Sequence, residues 1–188
     1  MDSRIGGKYL RPGLGFGGPC FPRDNLAFAA FARRLETRAK LAEMVDEVNR
    51  DQVSRVVARV NEIIAGLKKG KQAKVAVLGL SYKPQTPVAE QSQALGIAQA
   101  LANEGYAVKV YDPQAMAHAR AVLGEAVRYA RNMRECLAGA DIGIIAVPWK
   151  EFERISPKDA SSKIVLLDCW GLLKEKGRLR VEYLGKGA

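Results

Sequence analysis

The chain has one histidine, His118, and three cysteines, Cys20, Cys136 and Cys169, in 188 residues. A lone histidine and an odd set of widely spaced thiols make neither a zinc-like ligand cluster nor a disulfide framework. A reduced, cytoplasmic protein without a metal site is expected. Long apolar runs are also missing. Nothing approaches the roughly 20 residues that a membrane span needs, and the N-terminus has no signal-peptide pattern, so no membrane partner is expected. Acidic residues are the scarcer charge, 20 Asp and Glu against 30 Lys and Arg, for a formal net charge of +10. Such an excess is compatible with nucleic acid, a membrane surface or an anionic metabolite. The cations are spread along the whole chain, and their one tight cluster, Lys68-Lys69-Gly70-Lys71 with Lys74, falls in an apparent linker. No basic recognition helix and no platform of interleaved aromatic and basic residues is visible, so nucleic acid is not expected as a partner. Binding of a diphosphate remains compatible with the charge.

The segment Gly15-Phe16-Gly17-Gly18-Pro19-Cys20-Phe21-Pro22-Arg23-Asp24 carries the most chemistry. Glycines allow positive φ and a close approach of the backbone to a ligand. Pro22 suits the first turn of a helix, and Asp24–Arg34 reads as an Ala-rich helix with Leu26, Phe28 and Phe31 among its apolar residues. Cys20 then sits at a helix N-terminus, which favours the nucleophilic thiolate, while the charge of Asp24 opposes that effect. A buried structural cysteine beside an ordinary acidic residue is the alternative. Gly13, Gly15, Gly17 and Gly18, packed just ahead of Cys20, favour the reactive thiol with Asp24 placed to handle water or a proton.

Behind this turn and helix (residues 1–36), residues 37–70 form a long helix candidate. Leu41, Met44, Val45, Val48, Val53, Val56, Val57, Val60, Ile63, Ile64 and Leu67 fall at 3/4 spacing over Thr37–Leu67. About 30 residues at 1.5 Å each span roughly 45 Å, more than a small domain needs, so the helix is expected to bridge domains or pack on a second subunit. Residues 71–188 alternate strands and helices. Strands are predicted at Lys74–Leu80, Ala107–Tyr111, near Val127, at Asp141–Val147 and at Lys163–Asp168. Helices are predicted at Val88–Glu104, near Gln114–Leu123 and near Asn132–Ala138. The expected fold is α/β, a long connecting helix followed by a Rossmann-like, doubly wound parallel sheet. Ligands of such sheets bind at the carboxyl ends of the strands, after Leu80, Tyr111, Val147 and Leu167. A dinucleotide site calls for G-x-G-x-x-G after the first strand, but the chain has Gly79-Leu80-Ser81-Tyr82-Lys83-Pro84, so this sheet is not expected to hold NAD. Lys83 either offers charge to a diphosphate or sugar hydroxyl, or is a surface lysine before a proline turn.

Arg4-Ile5-Gly6, Tyr9-Leu10-Arg11-Pro12-Gly13 and the cysteine decapeptide together resemble the catalytic-cysteine region of the UDP-glucose/GDP-mannose dehydrogenase family. Gly79–Ala94, Asp112-Pro113, Trp149 with Phe152, and Asn49 resemble further landmarks of its central and C-terminal, UDP-binding parts. The resemblance implies an NAD-dependent nucleotide-sugar 6-dehydrogenase of polysaccharide biosynthesis. Such an enzyme oxidises the sugar C6 alcohol to a carboxylate in two steps, through a thiohemiacetal and a thioester on Cys20. It implies Asp24 as the partner for water. It also implies substrate contacts from Arg4 (across a dimer), Tyr9, Leu10, Arg11, the backbone of Phe16, Gly17 and Gly18, and the pair Tyr82 and Lys83. A UDP-sugar or related nucleotide sugar is the implied partner, with a homodimer through the long helix. NAD is implied to bind mainly on an N-terminal domain that this chain lacks, so the chain is expected to be inactive alone. Glu90 and Trp170 stand where many members have arginines. A second reading is a non-catalytic nucleotide-sugar-binding or oligomerisation module that keeps the turn without its chemistry.

Overall fold

The computed structural model describes residues 4–5, 13–173 and 179–185. Helix α1 (Phe21–Arg34) begins directly after Cys20 and takes Pro22 into its first turn, where a missing N–H leaves nothing unpaired. Only Pro22, Ala29 and Ala32 of this helix are buried, so Leu26, Phe28 and Phe31 face outward. Helix α2 (Lys40–Leu67) starts three residues later than the periodicity predicts. The N–H of Thr37 instead donates to the Ala32 carbonyl and closes the end of α1. At 28 residues α2 is about 42 Å long.

The two halves of α2 have different fates. Its C-terminal half buries Val56, Val57, Val60, Ile63 and Ile64 in the main core, each worth about 1.5–3 kcal/mol over an exposed position. Its N-terminal half leaves Leu41, Met44, Val45 and Val48 exposed. Lys68, in the left-handed region, ends the helix. The linker lysines that follow are partly paired. Lys69 lies 3.3 Å from Asp141, and Lys71 lies 3.6 Å from Glu104 and 4.1 Å from the centre of the Tyr106 ring.

Beyond a short 3-10 turn come β1 (Lys74–Leu78), α3 (Gln93–Asn103), β2 (Ala107–Tyr111), α4 (Met116–Leu123), β3 (Arg128–Tyr129), α5 (Met133–Leu137), β4 (Ile142–Ile145), β5 (Val165–Asp168) and β6 (Arg180–Tyr183). The strands form one six-stranded parallel sheet of order β3-β2-β1-β4-β5-β6. This is the doubly wound arrangement expected from the alternating pattern, and the order reverses between β1 and β4. Strands β1, β4 and β5 carry apolar side chains toward both faces, as buried parallel strands do.

Several predicted boundaries are corrected by side chains that capture the backbone. The helix expected from Val88 begins at Gln93. Residues 88–92 instead make a docking loop, in which the Ala89 N–H donates to His118 Nδ1 (3.2 Å) and the Glu90 carbonyl accepts from the Gly18 N–H (2.8 Å). The helix expected from Gln114 begins at Met116, because the N–H groups of Gln114 and Ala115 donate to Asp112 Oδ1 at 2.8 and 2.7 Å. Strand β6 was not predicted. Its Arg-Val-Glu-Tyr sequence is polar for a strand, and Glu182 reaches back to Arg59 of α2 at 2.8 Å.

Candidate functional site

Residues 13–20 lie across the carboxyl ends of β1, β4 and β5, where a doubly wound sheet holds its ligand. Four close approaches explain the glycines. A Cβ on Gly13 would meet the Trp170 ring at 2.8 Å, and one on Gly15 would meet Asn49 Oδ1 at 2.6 Å. On Gly17 it would meet the Gln91 carbonyl oxygen at 2.3 Å, and on Gly18, at φ +87°, the Tyr82 ring at 2.7 Å. The turn is therefore seated backbone-first between α2, the 88–92 loop and the Tyr82 side chain.

Side-chain amides hold it there. Asn49, buried on α2, accepts from the Phe16 N–H at 2.8 Å and donates through Nδ2 to the Phe16 carbonyl at 2.9 Å. Gln93, at the start of α3, donates to the same carbonyl at 3.3 Å. The turn thus offers fewer free donors than the resemblance implies. The Phe16 N–H belongs to Asn49 and the Gly18 N–H to Glu90, which leaves the Gly17 N–H as the one of the three without a partner among the described residues.

Cys20 is exposed at the N-terminal end of α1, one helical turn before Asp24, whose N–H donates to the Cys20 carbonyl at 2.8 Å. Asp24 is also exposed, and its Oδ1 is held by Arg23 through Nε at 3.1 Å and Nη2 at 3.0 Å. That hydrogen bond, reinforced by the Asp24 charge, raises the pKa of the Arg23 guanidinium, with smaller contributions from Cys20 and Glu90. Glu90 therefore adds negative charge beside Arg23, where the resemblance expects an arginine. Cys136 and Cys169 are the opposite case. Burial pushes both thiols up to about 12.

Tyr82 is half-buried under Gly18, and the exposed Lys83 ammonium lies 5.4 Å from its ring centre. The loop carrying this pair is tied down by Asp112. Its Oδ2 accepts from Leu80 N (2.7 Å), Ser81 N (3.0 Å), Ser81 Oγ (3.0 Å) and Trp149 Nε1 (3.1 Å). Trp170 donates from Nε1 to the Ala146 carbonyl at 2.9 Å and backs Gly13, so it braces the turn rather than facing a ligand as an arginine would. Arg4 is exposed, whereas Tyr9, Leu10 and Arg11 lie outside the described residues. A groove of about 410 Å³ runs beside the turn, lined by Gly18, Pro19, Arg23, Glu90, Gln91, Gln93 and residues of α2. A second, more apolar groove of about 380 Å³ lies on its other side, against Met44, Val45 and Val48. Sequence reasoning did not anticipate Gln93 or the clamping role of Asn49. Only an amide at the right helical phase marks them.

The sheet is not shaped for a dinucleotide. It lacks the glycine motif, and the acidic residue after β2, Asp112, is buried with both oxygens spent on internal donors. The space between β1, β4 and β5 is closed to about 10 Å³ by Leu14, Phe16, Gly17 and Trp170.

Residues 76–175 match the UDP binding domain of the UDP-glucose/GDP-mannose dehydrogenase family, and residues 1–51 match its central domain. The chain is 37% identical over 171 residues to the UDP-glucose 6-dehydrogenase TuaD of Bacillus subtilis, covering 89% of this chain and 36% of that protein. It is 33% identical over 193 residues to the UDP-glucose 6-dehydrogenase YwqF of the same organism, covering 100% of this chain and 43% of that one. A solved UDP-glucose dehydrogenase from Pyrobaculum islandicum superposes with a TM-score of 0.81 at 34% identity, over 98% of this chain and 41% of its own. The chain thus spans about two fifths of the length of these relatives. A cysteine turn seated on a parallel sheet, matched over both of its parts, shows that the chain belongs to the UDP-glucose/GDP-mannose dehydrogenase family.

Proposed function

We propose that this chain is the substrate-holding part of a nucleotide-sugar 6-dehydrogenase, with UDP-glucose as the leading substrate. Residues 1–36 supply the cysteine turn and its helix, 37–70 the long central helix, and 71–188 the nucleotide-binding unit. The observation that carries the reading is Cys20, an exposed thiol at the start of a 14-residue helix, on a turn packed against Tyr82. The names of the relatives supply the substrate class.

In this reading the Tyr82 and Lys83 loop holds the nucleotide end, and Lys83 brings a cation to the diphosphate. The Gly17 N–H, unpaired among the described residues, donates to a sugar oxygen. The Cys20 thiolate adds to the C6 carbonyl of the aldehyde, forming a C–S bond as the carbonyl oxygen takes a proton. After oxidation to the thioester, water attacks that carbon, Asp24 takes its proton, and the C–S bond breaks to return the thiolate. Arg23 holds Asp24 Oδ1 in place for this role. Both oxidations require a hydride acceptor, the nicotinamide cofactor of such dehydrogenases. The sheet described above does not fit it, so it binds elsewhere in the complete enzyme. Arg4, Tyr9, Leu10 and Arg11 complete the substrate contacts.

The exposed stripe Leu41, Met44, Val45 and Val48 on α2 is the face through which two copies pair. Calorimetric titration of the 188-residue chain with UDP-glucose, UDP and a short DNA duplex tests the reading. Saturable binding of both nucleotides and none of the DNA is expected. Absence of binding by any nucleotide sugar overturns it.

A further inference from the structure

The atoms that hold the Phe16 carbonyl also determine where the Gly17 N–H points. The two groups belong to one peptide unit, which is planar and trans, so its C=O and N–H point in opposite directions. The carbonyl is fixed from one side by Asn49 Nδ2 at 2.9 Å and Gln93 Nε2 at 3.3 Å. The Gly17 N–H is therefore directed away from both amides. Glycine at position 17 would otherwise tolerate rotation of this peptide, because it accepts either sign of φ. A side chain there is excluded by the Gln91 carbonyl oxygen, 2.3 Å from the place of a Cβ. The turn is thus built from a residue that permits the peptide to flip, and is locked by two amides that prevent it. Gln93 serves the lock at a cost to itself, since its Oε1 is buried without a partner among the described residues. Asn49 lies within the central-domain match and Gln93 within the UDP-binding match, so the lock joins both parts of the chain at the turn.

We propose that Asn49 and Gln93 are positioning residues. They lock the Phe16–Gly17 peptide so that the Gly17 N–H donates to a sugar oxygen of the bound nucleotide sugar. The inference rests on the reading of the site given under Proposed function. It assigns the lock to the sugar end of the ligand and not to the nucleotide end, which the Tyr82 and Lys83 loop holds.

The test compares the affinities of UDP-glucose and UDP, by calorimetry, in the parent chain and in Asn49→Ala, Asn49→Asp and Gln93→Ala. Asn49→Ala is expected to weaken UDP-glucose about tenfold while UDP changes less than twofold, because UDP has no sugar for Gly17 to hold. Asn49→Asp keeps the acceptor for the Phe16 N–H but loses the donor to the carbonyl, so it should show the same selective loss. Gln93→Ala, which removes the longer bond, should show a smaller one. Should Asn49→Ala fail to fold, the other two variants carry the test. A parallel loss of both ligands would mark a merely structural role, and unchanged affinities would remove the lock; either overturns the proposal. If the parent chain binds neither ligand, it is the functional reading that falls.

Discussion

Gly18 lies flat against Tyr82. A Cβ at position 18 would stand 2.7 Å from two ring carbons, on a backbone with φ of +87°. The cysteine turn and the Tyr82 loop therefore cannot be substituted independently. Gly18→Ala is expected to cost roughly 1–3 kcal/mol of stability through overpacking and backbone strain. Urea unfolding followed by circular dichroism measures it. A variant as stable as the parent would show that the two segments are not packed as described.

Asp112 accepts six hydrogen bonds on a carboxylate that is 1% exposed, four tying the end of β2 to the β1 and β4 loops and two capping its own turn at Gln114 and Ala115. Asp112→Ala leaves several buried N–H groups unpaired and should cost about 3 kcal/mol or more. The same unfolding experiment checks it, and a loss under 1 kcal/mol would contradict the assigned role.

The three thiols should behave as two classes. In the folded chain at pH 8, iodoacetamide is expected to modify Cys20 and spare Cys136 and Cys169, with all three reacting in urea; peptide mass spectrometry reads this directly. The buried pair also sets a pH dependence. Their folded values are raised to about 12 from an ordinary 9.0, so the fold holds more protons than the unfolded chain between those values. The associated stability is complete below pH 9 and is lost as pH rises towards 12. At pH 10 the loss is about 1 kcal/mol per thiol. Replacing both by alanine should flatten this alkaline fall in stability.

The exposed stripe on α2 predicts self-association. Val45→Glu combined with Val48→Glu places charge in the proposed interface without touching the core, since both positions are exposed. Sedimentation should show a dimer for the parent and a monomer for the variant at micromolar concentration. A monomeric parent would remove α2 as the pairing face.

Much of this was legible in the sequence, for physical reasons. Apolar runs such as Val75–Leu78 and Ile142–Ile145 specify buried parallel strands, and the 3/4 spacing specifies α2. The glycine-rich turn announced itself because close backbone approach requires glycine. What stayed hidden depends on contacts between residues far apart in sequence. Asn49 meets Phe16 across 33 positions, Gln93 meets it across 77, and Asp112 Oδ2 takes its donors from loops more than 30 residues away. Contacts of Ala89 with His118 and of Glu90 with Gly18 moved the start of α3, and Asp112 moved that of α4 by capping Gln114 and Ala115. Asn49 and Glu90 occupied two of the three N–H groups expected to face substrate. The edge strand β6 was hidden differently, since Arg180-Val181-Glu182-Tyr183 alternates over only four residues, two of them charged.

The most direct test of the central claim is ligand protection of Cys20. The 188-residue chain is treated with iodoacetamide at increasing UDP-glucose, and modification of Cys20 is followed by mass spectrometry with Cys136 and Cys169 as internal controls. The account predicts that UDP-glucose slows modification of Cys20 in a saturable way, and that UDP, which leaves the sugar position open, protects far less. Modification of Cys20 at the same rate with and without UDP-glucose would contradict it.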